Sequence, residues 1–227
     1  MVQASDFTGK PFVVRVDDAT IQDEHATLVD DLHLLAQRCV RPIVVAPNAA
    51  TARTIVRTIN RSANVAIALS GSDAALLPHG PDGIGTVQPR ILDTLTSAGF
   101  IPVVEPTAFA VFDRDDPAVI ADDVAAAIAT ACGAARAIFF HHAGGVTDPE
   151  TETQLAELTP AEALALADDE RVPKELRAAM RAAALGVRKG VPAAQIVDGR
   201  VAHAVVVELL THQHLGTRVT GGLLLAS

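Results

Sequence analysis

The chain has 227 residues, 49% of them apolar, and its 18 Lys and Arg against 27 Asp and Glu leave a formal net charge of −9. This balance excludes a disordered tail, a disulfide-stapled mini-protein and a basic nucleic-acid binder. Seven Phe with no Tyr or Trp leave almost nothing on which bases could stack.

Short β-branched runs alternate with longer Ala- and Leu-rich segments of helical period, the pattern of a parallel sheet with helices on both faces. Residues 12–16 form the first run, and Leu28, Val29, Leu32 and Leu35 then make the apolar stripe of a helix. Residues 43–46 are the next strand. Residues 51–61 read as a helix with Arg53, Arg57 and Arg61 on a solvated face. A third run covers 65–69. The stretch 70–89, with four glycines and three prolines, is too irregular for a helix and has room for a hairpin. Further strands are expected at 101–104 and 137–140. Between them, Gly133 stands where a helix over 124–132 needs a left-handed residue beyond its end. At Thr159-Pro160-Ala161-Glu162 the hydroxyl can cap, proline suits the first helical position and Glu162 can reach back, predicting a helix over 161–167. Another helix runs from about Pro173 through Val187 and stops before Gly190 and Pro192. The last run is 195–197.

Cys39 and Cys132 lie far apart in apolar surroundings, which suits reduced core thiols. Residues 1–10 lack an apolar signal core, and no stretch approaches the roughly 18 apolar residues of a membrane span. The expected compartment is the cytoplasm, with neither membrane nor nucleic acid as partner. No repeat or low-complexity linker divides the chain, so one domain is expected over 1–227.

The segment Gln195-Ile196-Val197-Asp198-Gly199-Arg200-Val201-Ala202-His203, continuing Val207-Glu208-Leu209-Leu210-Thr211 and Leu215-Gly216-Thr217-Arg218-Val219, resembles the end of the acetylglutamate kinases. Upstream, Leu69-Ser70-Gly71-Ser72-Asp73-Ala74 resembles the family's GLSGEDA, and Gly99-Phe100-Ile101-Pro102-Val103-Val104 its G-x-IPVV. The chain is therefore identified as similar to the amino-acid kinase superfamily. The resemblance implies an αβα sandwich on an open, mainly parallel eight-stranded sheet. An N-lobe, about 1–105, would hold an N-acyl amino acid, and a C-lobe, about 106–227, would hold MgATP. The implied reaction moves the γ-phosphoryl group onto a side-chain carboxylate in arginine-type biosynthesis. The implied assembly is a homo-oligomer, a dimer or higher, or an association with a true kinase paralogue.

Such chemistry needs positive charge and backbone N–H donors around the oxygens that gain charge. The family's first strand ends in Lys-x-Gly-Gly; here Arg15-Val16-Asp17-Asp18 stands there, keeping a cation but adding two carboxylates where a phosphate should lie. Asp17 and Asp18 either repel phosphate or hold an additional divalent cation. The His-Gly-Gly-Gly loop after the second strand is replaced by Ala46-Pro47-Asn48-Ala49, which removes a donor and adds Cβ atoms. The segment whose arginine grips the substrate carboxylate is missing, and Arg53, Arg57 and Arg61 either substitute for it or only form the solvated face of their helix.

By resemblance Ser70, Gly71 and Ala118 belong to the substrate side, and Arg15, Asp122 and Lys174 to catalysis. His141, Gly144 and Gly145, with Lys174, belong to the nucleotide pocket. Asp122 either orients cations or flanks its helix; Lys174 is either a phosphate ligand or an exposed first-turn lysine. Adjacent His141 and His142 should point to opposite sides of an extended chain, which disfavours a shared metal. His212 and His214 are expected at the surface. Two readings remain: a degenerate kinase-like protein kept for assembly or regulation, and an active kinase.

Overall fold

Each strand expected from the sequence forms in the computed structural model, which describes residues 7–23, 25–80, 83–110, 116–211 and 215–221. In chain order the first half comprises β1 (Pro11–Arg15), α1 (Asp18–Asp23), α2 (His25–Gln37), β2 (Arg41–Val45), α3 (Ala49–Ser62) and β3 (Ala66–Leu69). A short turn of 3-10 helix (Asp73–Ala75) leads into a hairpin of β4 (His79–Gly80) and β5 (Gly83–Ile84), then α4 (Arg90–Ser97) and β6 (Ile101–Val104). The second half comprises α5 (Ala121–Ala131), β7 (Arg136–His141), β8 (Glu157–Leu158), α6 (Pro160–Ala167), α7 (Lys174–Arg188), β9 (Ala193–Asp198), α8 (Ala204–Leu210) and β10 (Gly216–Thr220).

Eight strands join in the order β3-β6-β2-β1-β7-β9-β10-β8, parallel at every pairing except β9 with β10. Both faces are covered, because successive strand residues point to opposite sides. Val13, Ile43, Val45, Ala137, Phe139 and Ile196 enter the core under α5, α6 and α7. Phe12, Val14, Val44, Ile138, Phe140 and Val197 enter the core under α2, α3 and α8.

Three helix ends form where the sequence has capping signals. Thr159 and Glu162 form the full capping box of α6, with Pro160 in its first turn. At the end of α5 the amide of Gly133, at φ 59°, bonds the Thr130 carbonyl, and the Ala134 amide bonds that of Ala129. Gly190, at φ 109°, closes α7 in the same way through Val187 and Gly186.

Cys39 takes this left-handed position at the end of α2, with φ 57° and bonds from Cys39 and Val40 to the Ala36 and Leu35 carbonyls. Its expected burial is thus corrected: the thiol is exposed, because a residue just past a helix end points off the surface. Cys132 is half-buried at the end of α5, and burial, the first cause, pushes its thiol up to about 12. No described helix is long and apolar enough to cross a membrane.

Candidate functional site

From β1 the sheet extends through β2 in one direction and through β7 in the other. At such a switch in strand order the connections part, leaving a crevice beyond the carboxyl ends of the strands. Arg15 ends β1, His141 ends β7, Asp198 ends β9, and Asp122 lies in the first turn of α5.

Arg15 and Asp122 meet. Arg15 Nε is 3.1 Å from Asp122 Oδ1, an ion pair rather than an aligned hydrogen bond, with side-chain exposures of 14% and 6%. Arg15 Nη1 also donates to the Phe140 carbonyl at 3.1 Å, tying the pair to β7. Burial pushes the Asp122 carboxyl up, Arg15 opposes that, and Asp123 and Asp17 add to it. Asp122 thus has a cationic partner in Arg15 while it also flanks the first turn of α5.

Asp17 and Asp18 are held by different elements. Asp17 is buried; Oδ1 accepts the Thr20 amide at 2.8 Å, and Oδ2 accepts the His142 amide at 2.9 Å with His142 Nδ1 3.3 Å away. Burial raises this carboxyl, yet the bonds from Thr20 and His142 outweigh it and hold Asp17 below the ordinary value of 3.8. Asp18 is exposed and accepts Thr51 Oγ1 at 2.6 Å and Asn48 Nδ2 at 3.2 Å, while Asn48 Oδ1 takes the Thr51 amide at 2.9 Å. Amides at the starts of α1 and α3, and the amide after β7, are thus engaged by side chains of the chain itself. Among the described residues no group of three or more His, Cys, Asp or Glu could hold a metal ion, which leaves the cation reading of Asp17 and Asp18 without a ligand set.

The two histidines depart from expectation. Their rings stack, 4.8 Å between centroids and 21° between planes, instead of pointing apart. The physical reason is that pairing with β9 ends at His141, so His142 belongs to the following turn and escapes strand alternation. His141 is buried, and its Nδ1 accepts the Ala143 amide at 3.1 Å. Burial first, then His142 and Arg15, hold it below the usual imidazole range against Asp17 and Glu175. The His142 side chain is half-exposed, and across the crevice Arg200 forks onto Asp198 through Nε at 2.9 Å and Nη2 at 2.8 Å.

The other expected site residues are distributed around this centre. Gly144 is buried at φ 79° beside Asp198, whereas Gly145 is a packing glycine: a Cβ there would meet the Gln154 amide and the Gly216 backbone. Lys174 is exposed at the start of α7, and its side chain has no hydrogen bond or ion pair with a described residue. Gly71 packs on the Thr107 carbonyl, and Thr107 bridges to Ala118, so Gly71 and Ala118 come together through one residue. Ser70 instead turns to its own loop, its amide bonding Asp73 Oδ2 at 2.7 Å and its hydroxyl meeting Ser72 Oγ at 2.8 Å. Arg53, Arg57 and Arg61 are exposed on α3, and His212 and His214 lie outside the described residues. Sequence reasoning missed Thr20, Asn48 and Thr51. The spacing Asp17-x-x-Thr20, a cap ahead of a helix, was a readable signal for the first.

Comparison with known proteins gives a consistent picture. The sequence profile described as "Amino acid kinase family" matches residues 66–198. An acetylglutamate kinase of Rhizorhabdus wittichii is 38% identical over 133 residues, covering 59% of this chain and 44% of the relative. One of Trichormus variabilis is 34% identical over 189 residues, covering 74% and 60%. One of Zymomonas mobilis is 30% identical over 212 residues, covering 84% and 70%. The chain thus spans roughly half to two thirds of the length of these curated relatives. Among solved structures, an N-acetylglutamate synthase from Neisseria gonorrhoeae complexed with coenzyme A and N-acetyl-glutamate superposes with TM-score 0.79 at 18% identity, over 96% of this chain and 61% of that one. A carbamate kinase from Giardia lamblia bound to AMP-PNP gives 0.65 at 11%, over 94% and 99%. At these identities the structural matches speak for the fold.

Proposed function

The chain belongs to the amino acid kinase family, on its acetylglutamate kinase-like branch, and we propose that its ATP-dependent phosphorylation of an N-acyl amino acid carboxylate is weak or lost. The observation that carries this reading is the placement of Asp17. Its buried carboxylate occupies the Thr20 and His142 amides at the end of β1, where the family's glycines would leave donors for a phosphate. A phosphate oxygen about 4 Å from this anion meets a repulsion of about 4 kcal/mol at an effective dielectric near 20. Each lost donor at a transferring phosphoryl group removes about 2.7–4 kcal/mol of transition-state stabilisation. The Asn48 cap and the Asp18 contact alter a second cradle at the start of α3. The residues present therefore fit a triphosphate with its magnesium poorly, and no catalytic step is assigned through it.

One observation favours the alternative of an active kinase. The Arg15–Asp122 pair sits at the crevice, and Lys174 is unpartnered at the start of α7, so a cation and an oriented carboxylate persist there. In that case Lys174 and Arg15 would be the cations facing a phosphoryl group, with Asp122 holding Arg15 in place. Retention for assembly, as a homo-oligomer or beside a kinase paralogue in the cytoplasm, accords with the first reading.

Calorimetric titration with MgATP separates the two. The degenerate reading expects no saturation below the millimolar range, and micromolar affinity overturns it. A coupled assay with N-acetyl-L-glutamate then tests turnover. Replacing Asp17 and Asp18 together by glycine is expected to raise ATP affinity, and unchanged affinity means that this turn is not the obstacle.

A further inference from the structure

A groove of about 970 Å³ runs between β5, α5 and α7, and none of Arg15, Asp17, His142 or Lys174 lines it. Its concavity follows from small residues where the two helices meet. A Cβ added at Gly186 would lie 3.8 Å from the Ala126 Cβ, and Ala127 and Ala182 keep the adjoining walls shallow. Ile84 from the hairpin and the exposed Leu185 make the walls apolar.

Two charges line this apolar trough. Asp123 lies in the first turn of α5, and Lys189 directly follows the last residue of α7. Neither side chain has a hydrogen bond or ion pair with a described residue. Both helices lead into parallel strands, β7 and β9, and so run the same way. From the point where Ala126 meets Gly186, Asp123 lies three residues back on α5 and Lys189 three residues on along α7. At 1.5 Å of rise per residue the two positions are separated by about 9 Å along the groove.

We propose that this groove binds a small zwitterion of the ω-amino acid class, with its ammonium at Asp123, its carboxylate at Lys189 and its methylene chain on the apolar floor. A dianion meets Asp123 as a like charge, a simple amine leaves Lys189 unmatched, and an uncharged apolar molecule uses neither group; the zwitterion alone answers both. Although the Asp123 side chain is exposed, partial desolvation pushes its carboxyl up, which a bound ammonium reverses. Asp123 also acts on the neighbouring Asp122 carboxyl, so occupation of the groove reaches the Arg15–Asp122 pair. The site is separate from the phosphate cradles and stands whether or not the chain binds ATP.

The test is calorimetric titration of the full chain with 6-aminohexanoate, beside hexanoate and hexylamine. Saturable binding with a submillimolar Kd is expected, weakened about tenfold by either Asp123→Asn or Lys189→Gln and about tenfold for each singly charged probe. Both substituted side chains are exposed, and circular dichroism of the variants checks that the fold is intact. Absence of saturation by wild type, affinity unchanged from wild type in both variants, or hexanoate binding as tightly as the zwitterion each overturns the proposal.

Discussion

Replacing Asp17 by alanine removes a carboxylate that joins the start of α1 to the turn after β7. Two backbone amides, at 2.8 and 2.9 Å, lose their acceptor, and the side chain they surround is only 12% exposed. Hydrogen bonds to a charged group contribute about 1.5–3 kcal/mol each, and partial water entry with non-additivity brings the pair to a loss of about 2–4 kcal/mol. In a domain of this size that is a fall in Tm of roughly 10 °C. The pH dependence has a definite sign. Asp17 is held below its ordinary value of 3.8, so its contribution is complete above that value and disappears as pH falls through the lower native one. Paired thermal melts of wild type and Asp17→Ala at pH 7, 5 and 3 should show the full gap at the first two and a shrinking gap at the third. Equal Tm values at pH 7, or a gap as wide at pH 3 as at pH 7, refute the assignment.

Three further outcomes are expected. Cys39→Gly relieves the left-handed strain at the end of α2 and should raise stability by about 0.5–1 kcal/mol in urea unfolding, with a lower Tm counting against it. Thiol titration of the native protein at pH 8 should find one fast-reacting cysteine, Cys39, because the Cys132 thiol is pushed up to about 12; two equally fast thiols contradict that. Arg41 donates to Thr96 Oγ1, the Asp93 carbonyl and Ser97 Oγ, each at 3.0 Å, so Arg41→Ala should unfasten the last turn of α4 and cost about 1–2 kcal/mol in chemical denaturation.

The layered fold was legible because its rules are local. Period-two alternation placed Phe12 and Val13 in different cores, and the Thr159-Pro160-x-Glu162 signature placed the start of α6. The hairpin of β4 and β5 fell within the stretch left open for one. Cys39 was misjudged because an apolar neighbourhood in sequence does not say which residue ends a helix, and here cysteine stands where glycine is usual. The site was legible as residue types more than as contacts. Arg15 with Asp122, Asp17 with His142 and Asp18 with Thr51 are joined across long separations by the order of the strands. No spacing rule anticipates such meetings. The stacked histidines failed the alternation rule because the strand ends between them.

The central place of β1 constrains how the chain is made. Its second edge waits for β7, since Phe12 pairs with Arg136 and Arg15 with Phe139. During synthesis the chain through residue 139 must leave the ribosome before that edge is sealed, and until then a row of open amides and carbonyls on an apolar strand is available to neighbouring nascent chains. Chaperone demand should therefore persist until residues 136–139 emerge and fall after that.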